Sequence, residues 1–167
     1  MSKLPEFISD REFDASRSLV WRAWTDPELL ARWYGPNIET VIHKFDLKPG
    51  GVWRNEMKMK SMSDFSVMTF KEIVPEEKLV WHHSSTDQGW NIVSNPMMPD
   101  WPRVLLTTVT FKNAGEKTKV RLTWVPHEAT DAEIACFAGA MDGFGSGWGA
   151  GFTIMDEILA ELQATKK

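Results

Sequence analysis

The chain has 167 residues, a length that suits one domain, and its 43% hydrophobic and 25% charged residues exclude a disordered polymer. The formal net charge is −4 with no Lys/Arg cluster, which argues against nucleic acid, because phosphate binding needs concentrated positive charge. The single cysteine, Cys136, cannot make an internal disulfide, the opening MSKLPEFISDREF lacks a signal-peptide apolar stretch, and no run reaches the ~18 to 20 apolar residues of a membrane span. A cytoplasmic location is therefore expected. Nine Trp and nine Phe stand against one Tyr, and large aromatics anchor cores or line pockets.

In chain order, Glu6 to Phe13 reads as a strand and Ala15 to Tyr34 as helical. Asp26-Pro27 divides that helical stretch, Asp26 as N-cap and Pro27 at N1, and Gly35-Pro36 ends it. From Ile38 the period becomes two. Val41, His43, Phe45 and Leu47 form one set, and Trp53, Asn55, Met57 and Met59 form its partner across the turn Lys48-Pro49-Gly50-Gly51. Strands follow at Phe65 to Val74 and Leu79 to Ser84. Arg103 to Lys112 and Thr118 to Pro126 make a last hairpin, with Thr107, Val109, Phe111, Val120, Leu122 and Trp124 inward. After Thr130 the period is helical again, and Trp148, Phe152, Met155, Leu159 and Leu162 make one apolar stripe. The expected fold is α+β: an antiparallel sheet of six or seven strands wrapped around a long C-terminal helix ending near Ala164, with two short helices after the first strand, all in a single domain over 1–167.

Five segments in this order, FDASRSLVWRAWTDPELLARWYGP, FDLKPGGVWRNEM, EIVPEEKLVW, VTFKNAGEKTKVRLTW and GWGAGFTIMDEILAEL, carry a resemblance. The chain resembles the START-like helix-grip superfamily (SRPBCC), in the branch related to the C-terminal domain of the activator of the heat-shock protein 90 ATPase. The resemblance implies a sheet gripping a helix with a cavity between them. It also implies a family of varied roles, including lipid carriers, hormone receptors and aromatase/cyclase-type proteins. Met68 stands where the family often has Gly and could fill part of the cavity, and Thr86 to Pro102 is longer than the family loop.

Features with chemical content are few. Gly139, Gly143, Gly147 and Gly151 recur every four residues: on a continuous helix they form a bare ridge that admits close approach, or else Gly139 to Ser146 is a loop. Gly145-Ser146-Gly147-Trp148-Gly149-Ala150 mimics a dinucleotide fingerprint but follows no strand. His43, His82, His83 and His127 have no metal-ligand spacing, and Asp87, Asp100 and Glu128 are not paired as acid and base. His83 shares a face with Trp81, so it is either a polar pocket group or a rim histidine. The Pro-stiffened apolar segment Trp90 to Trp101, with Pro96, Met97 and Met98, reads as a lid, as static packing or as a protein contact.

The expected function is binding of a small, largely apolar molecule between sheet and helix. Trp53, Met57, Trp81, Trp124 and Trp148 are the expected walls, Asn55 and His83 the polar groups, and Phe45, Phe70, Trp101, Val109 and Phe144 complete the lining. No catalytic group, cofactor or metal is expected. Two alternatives remain. One is a chaperone-cofactor module; the other is a cyclase/dehydratase-type enzyme, for which only His83 could move a proton. A homodimer and a chaperone are the protein partnerships left open.

Overall fold

A computed structural model describes residues 4–35, 38–95 and 98–164. Pro36, Pro96 and Met97, named above, lie outside the described residues. Strand β1 (Phe7–Phe13) leads into helices α1 (Arg17–Thr25) and α2 (Pro27–Trp33). The Ser16 side chain caps α1 at Leu19 N–H. The Asp26 side chain caps α2 at Glu28 N–H, with Pro27 preset for the first turn. Six strands follow: β2 (Glu39–Phe45), β3 (Val52–Lys58), β4 (Ser63–Val74), β5 (Lys78–Thr86), β6 (Leu105–Ala114) and β7 (Lys117–Pro126). They join β1 in one seven-stranded antiparallel sheet of order β1-β7-β6-β5-β4-β3-β2.

Helix α3 (Asp131–Ala164) closes the fold as 34 continuous residues, about 50 Å at 1.5 Å per residue. Its start is a reciprocal capping box: Glu133 N–H donates to Thr130 Oγ1 and Thr130 N–H donates to the Glu133 carboxylate. The Gly139 to Ser146 stretch is thus helix, not loop. The C-terminal half of α3 packs Phe152, Met155, Ile158 and Leu159 into the core, and ion pairs from Asp156 to Arg11 and from Glu161 to Arg32 tie it to β1 and α2.

One face of the sheet meets the helices. It presents Trp53, Met68, Phe70, Leu79, Trp81, Val109, Phe111, Val120 and Leu122. The expected β2 set of Val41, His43, Phe45 and Leu47 does not hold as one face. A register shift between Ile42 and Lys44 turns Ile42 and Phe45 toward the core and leaves His43 outside, bonded to Glu56.

Candidate functional site

A pocket of about 430 Å³ opens where the sheet, the end of α2 and the N-terminal half of α3 diverge. Trp33, Tyr34 and Gly35 supply the α2 side. Met57 of β3, Asp64 of β4, His83 and Ser85 of β5, and Trp124 of β7 supply the sheet side. Strand alternation puts His83 and Ser85 on the face that carries Trp81, and pairing sets Met57 opposite Asp64. Asn95, Met98 and Trp101 enter from the β5–β6 connection, and Ala140, Gly143, Phe144, Gly147, Trp148 and Gly151 from α3.

Two glycines are required by close approach. Gly151 lets α3 touch α2, since a Cβ there would stand 2.9 Å from the Trp33 carbonyl oxygen. Gly35 has φ +81°, and a Cβ would stand 2.7 Å from Thr40 Oγ1. Gly143 and Gly147 differ: a Cβ on either meets nothing within 4 Å, so their bareness leaves space beside the pocket.

The aromatic walls brace one another. Trp148 meets Trp124 at 5.5 Å between centroids and Tyr34 at 5.9 Å, both edge to face. Phe144 meets Trp124 at 5.4 Å and Trp101 at 5.6 Å. The polar groups are sparse, and some are satisfied within the chain: Asn95 donates to Ser85 Oγ and the Trp33 indole donates to the Ala23 carbonyl. His83 Nδ1 and Trp124 Nε1 are sealed from solvent without a hydrogen-bond partner, although both residues line the pocket. Burial lowers the His83 pKa to about 4, so the imidazole is neutral. Burial raises the Tyr34 phenol and raises the Asp64 carboxyl, which adds its own charge to the rise at Tyr34.

Of the side chains expected to line a cavity, Met57, His83, Trp101, Trp124, Phe144 and Trp148 lie on this pocket. Phe45, Trp53, Asn55, Phe70, Trp81 and Val109 do not; they belong to the packed core or its margin. The physical reason is that α1 and α2 plug the middle of the grip. Trp24 packs on Trp33 at 4.6 Å and on Trp81 at 6.2 Å, and Tyr34 packs on Trp53 at 4.8 Å. Met68, fully buried, pairs across the strands with both Trp53 and His83 and fills the base. Asn55, fully buried as well, accepts from the Trp53 indole at 3.2 Å instead of facing a ligand. Trp33, Tyr34 and Asp64 were not legible as pocket residues. In sequence Trp33 shares an apolar helical stripe with Leu29 and Leu30 and so reads as core, and nothing local marks the turn at Gly35 as a wall. Asp64 becomes visible only if β4 is extended back to Ser63, which restores the alternation Asp64, Ser66, Met68, Phe70.

The β5–β6 connection is pinned on both sides of the sheet. Asp87 accepts from Gly89 and Asn91 N–H, and Trp90, at φ 68°, lies on the outer face against Phe65, His43 and Arg54. Trp101 lies on the inner side, half-buried between Trp124, Phe137 and Phe144. Among the described residues no group of three His, Cys, Asp or Glu could hold a metal ion, and no helix is long and apolar enough to cross a membrane.

An antiparallel sheet closed on a long helix, with a pocket between them, defines the helix-grip class. Residues 14–160 match the family described as Activator of Hsp90 ATPase homolog 1-like protein, and the chain belongs to that family. No curated protein matches the chain. Among solved structures it is similar to protein Ms6760 from Mycobacterium smegmatis, with 17% identity, TM-score 0.77 and coverage of 95% of this chain and 96% of that one. A protein from Arthrobacter aurescens aligns with 22% identity, TM-score 0.78 and coverage of 93% and 86%. Protein NE0264 from Nitrosomonas europaea aligns with 23% identity, TM-score 0.73 and coverage of 98% and 99%. At these identities the likeness shows the shared fold.

Proposed function

We propose that the chain binds a small, largely apolar molecule in the pocket between sheet and α3, in the cytoplasm. The observation that carries this is the pocket itself. Its volume of about 430 Å³ falls within the roughly 300–1,000 Å³ of small-molecule sites, and its walls are largely aromatic with few polar groups, two atoms of which, His83 Nδ1 and Trp124 Nε1, have no hydrogen-bond partner. The neutral His83 ring, on the pocket wall with only its Nδ1 sealed, is suited to orienting a ligand by one hydrogen bond. Among the described lining residues no hydrogen bond joins two of the titratable groups Tyr34, Asp64 and His83, which favours binding over catalysis as the reading. Naphthylmethanol, a neutral apolar probe, is expected to bind and to quench the pocket tryptophans. Gly147→Leu should fill the space and weaken that binding by more than tenfold while circular dichroism stays unchanged. Equal binding by the variant would refute this site.

The family's description favours a second reading, a module acting on a chaperone. Capture of the chaperone by the intact chain, lost on surface substitution but indifferent to Gly147→Leu, would support it over the first.

A further inference from the structure

The pocket reading leaves the occupant's chemistry open, and the charges around the pocket narrow it. Among the described residues lining it there is no Lys or Arg, and the titratable ones are Tyr34, Asp64 and His83. Tyr34 and His83 are neutral near pH 7, because burial raises the phenol and lowers the imidazole to about 4. Asp64 is therefore the one described lining group that can carry a formal charge, and the charge is negative.

Asp64 is half-buried on the inward face of β4, opposite Met57. Among the described residues it has no hydrogen bond and no ion pair. A carboxylate held partly out of water with no counter-charge carries an uncompensated desolvation cost. Beside it stands Tyr34, whose phenol feels its charge. Tyr34 belongs to an aromatic trio with Trp33 and Trp148, at centroid separations of 5.9, 5.9 and 6.5 Å. Aromatic faces attract cations, most strongly where water is excluded. An anionic head group, such as a fatty-acid carboxylate or a phosphate, would meet a like charge and no basic partner.

We propose that the occupant is an organic cation: an amine or quaternary ammonium on an apolar body, its charge set against Asp64 and the trio Trp33, Tyr34 and Trp148. The apolar body then lies along Trp124, Phe144 and Trp101. This inference rests on the pocket reading, and the test separates the two.

Three probes sharing one ring are titrated against the intact chain at neutral pH by calorimetry: naphthylmethylamine, naphthylmethanol and naphthoate. The amine should bind about tenfold or more tighter than the alcohol, and naphthoate more weakly than the alcohol. Asp64→Asn should bring the amine to within about twofold of the alcohol without changing the alcohol. If the alcohol binds but the amine is no tighter, or naphthoate is the tightest, the cation inference is overturned and the pocket reading stands. If none of the three binds, both are overturned. Should Asp64→Asn fail to fold, the order of the three probes on the unaltered chain decides.

Discussion

His83 shows how a single side chain couples the pocket to stability. Its ring is half-buried, packs on Trp124 at 5.9 Å, and keeps a sealed, unpartnered Nδ1. With its pKa lowered from 6.5 to about 4 by burial, the folded chain resists a proton that the unfolded chain accepts. The unfolded state thus binds more protons between pH 6.5 and about 4, so stability falls as pH drops through that window and is untouched above it. The loss approaches roughly 3 kcal/mol at the acid end. His82, lowered by its own burial and then by His127, acts in the same direction, so the variant His83→Gln is needed to isolate the term. Urea melts between pH 7 and pH 4.5 should show a steep loss for the unaltered chain and a shallower one for His83→Gln. Parallel curves would mean that His83 is more accessible than its surroundings indicate. The inward direction of His83 follows from alternation with Trp81, and the residue lies on the pocket wall. Its missing partner does not follow, because that depends on which side chains of distant strands come near.

At the scale of elements, α3 carries two jobs along its length. From Gly151 onward its apolar side chains enter the core; before that, only Phe137 is buried. The glycines of the first half cost helix stability, roughly 1 kcal/mol each against Ala in an exposed interior. Gly143 and Gly145 separate two reasons for that cost. Both are exposed, and a Cβ on either meets nothing within 4 Å, but only Gly143 lines the pocket. Gly143→Ala and Gly145→Ala should each stabilise the chain by about 0.5–1 kcal/mol in urea melts. Only Gly143→Ala should also weaken naphthylmethanol binding. A loss with Gly145→Ala as well would mean that the helix must flex as a whole. The four-residue glycine spacing made a bare ridge legible as one of two readings, and the return to a helical period after Thr130 marked the helix start. The ridge's use was not legible, since a glycine facing a cavity and one facing solvent look alike in sequence. The β2 bulge was equally hidden: an alternating pattern does not reveal a place where one extra residue is inserted.

At the scale of the molecule, the β5–β6 connection links the outer face of the sheet, the pocket mouth and α3. Trp90 anchors it outside, Trp101 anchors it inside, and Arg103 N–H reaches Glu133 at the start of α3. Trp101→Ala should cost about 2 kcal/mol, below the ~3–5 kcal/mol of a fully buried aromatic, because the ring is half-buried. If the segment acts as a lid, the same variant should release naphthylmethanol several-fold faster in stopped flow with entry nearly unchanged, since closing contacts form after binding. A stability loss with an unaltered release rate would make the segment static packing.

The sequence by itself determined the order of elements, their antiparallel pairing and the apolar stripe of α3, because caps, turns and periodicity act within a few residues of one another. It also determined, through its aromatic excess, that large rings would crowd one interior. Only the tertiary structure decided which rings fill that interior and which border open space. Trp53 and Trp81 alternate inward just as Met57 and His83 do on the same strands. They became core because Trp24 of α1 packs on Trp81 and Tyr34, at the end of α2, packs on Trp53. Met57, Asp64 and His83 border the pocket because α2 ends at Trp33, the chain turns away at Gly35, and α3 presents glycine above them. A cavity is the space that packing leaves between segments far apart in the chain, so it has no local signature.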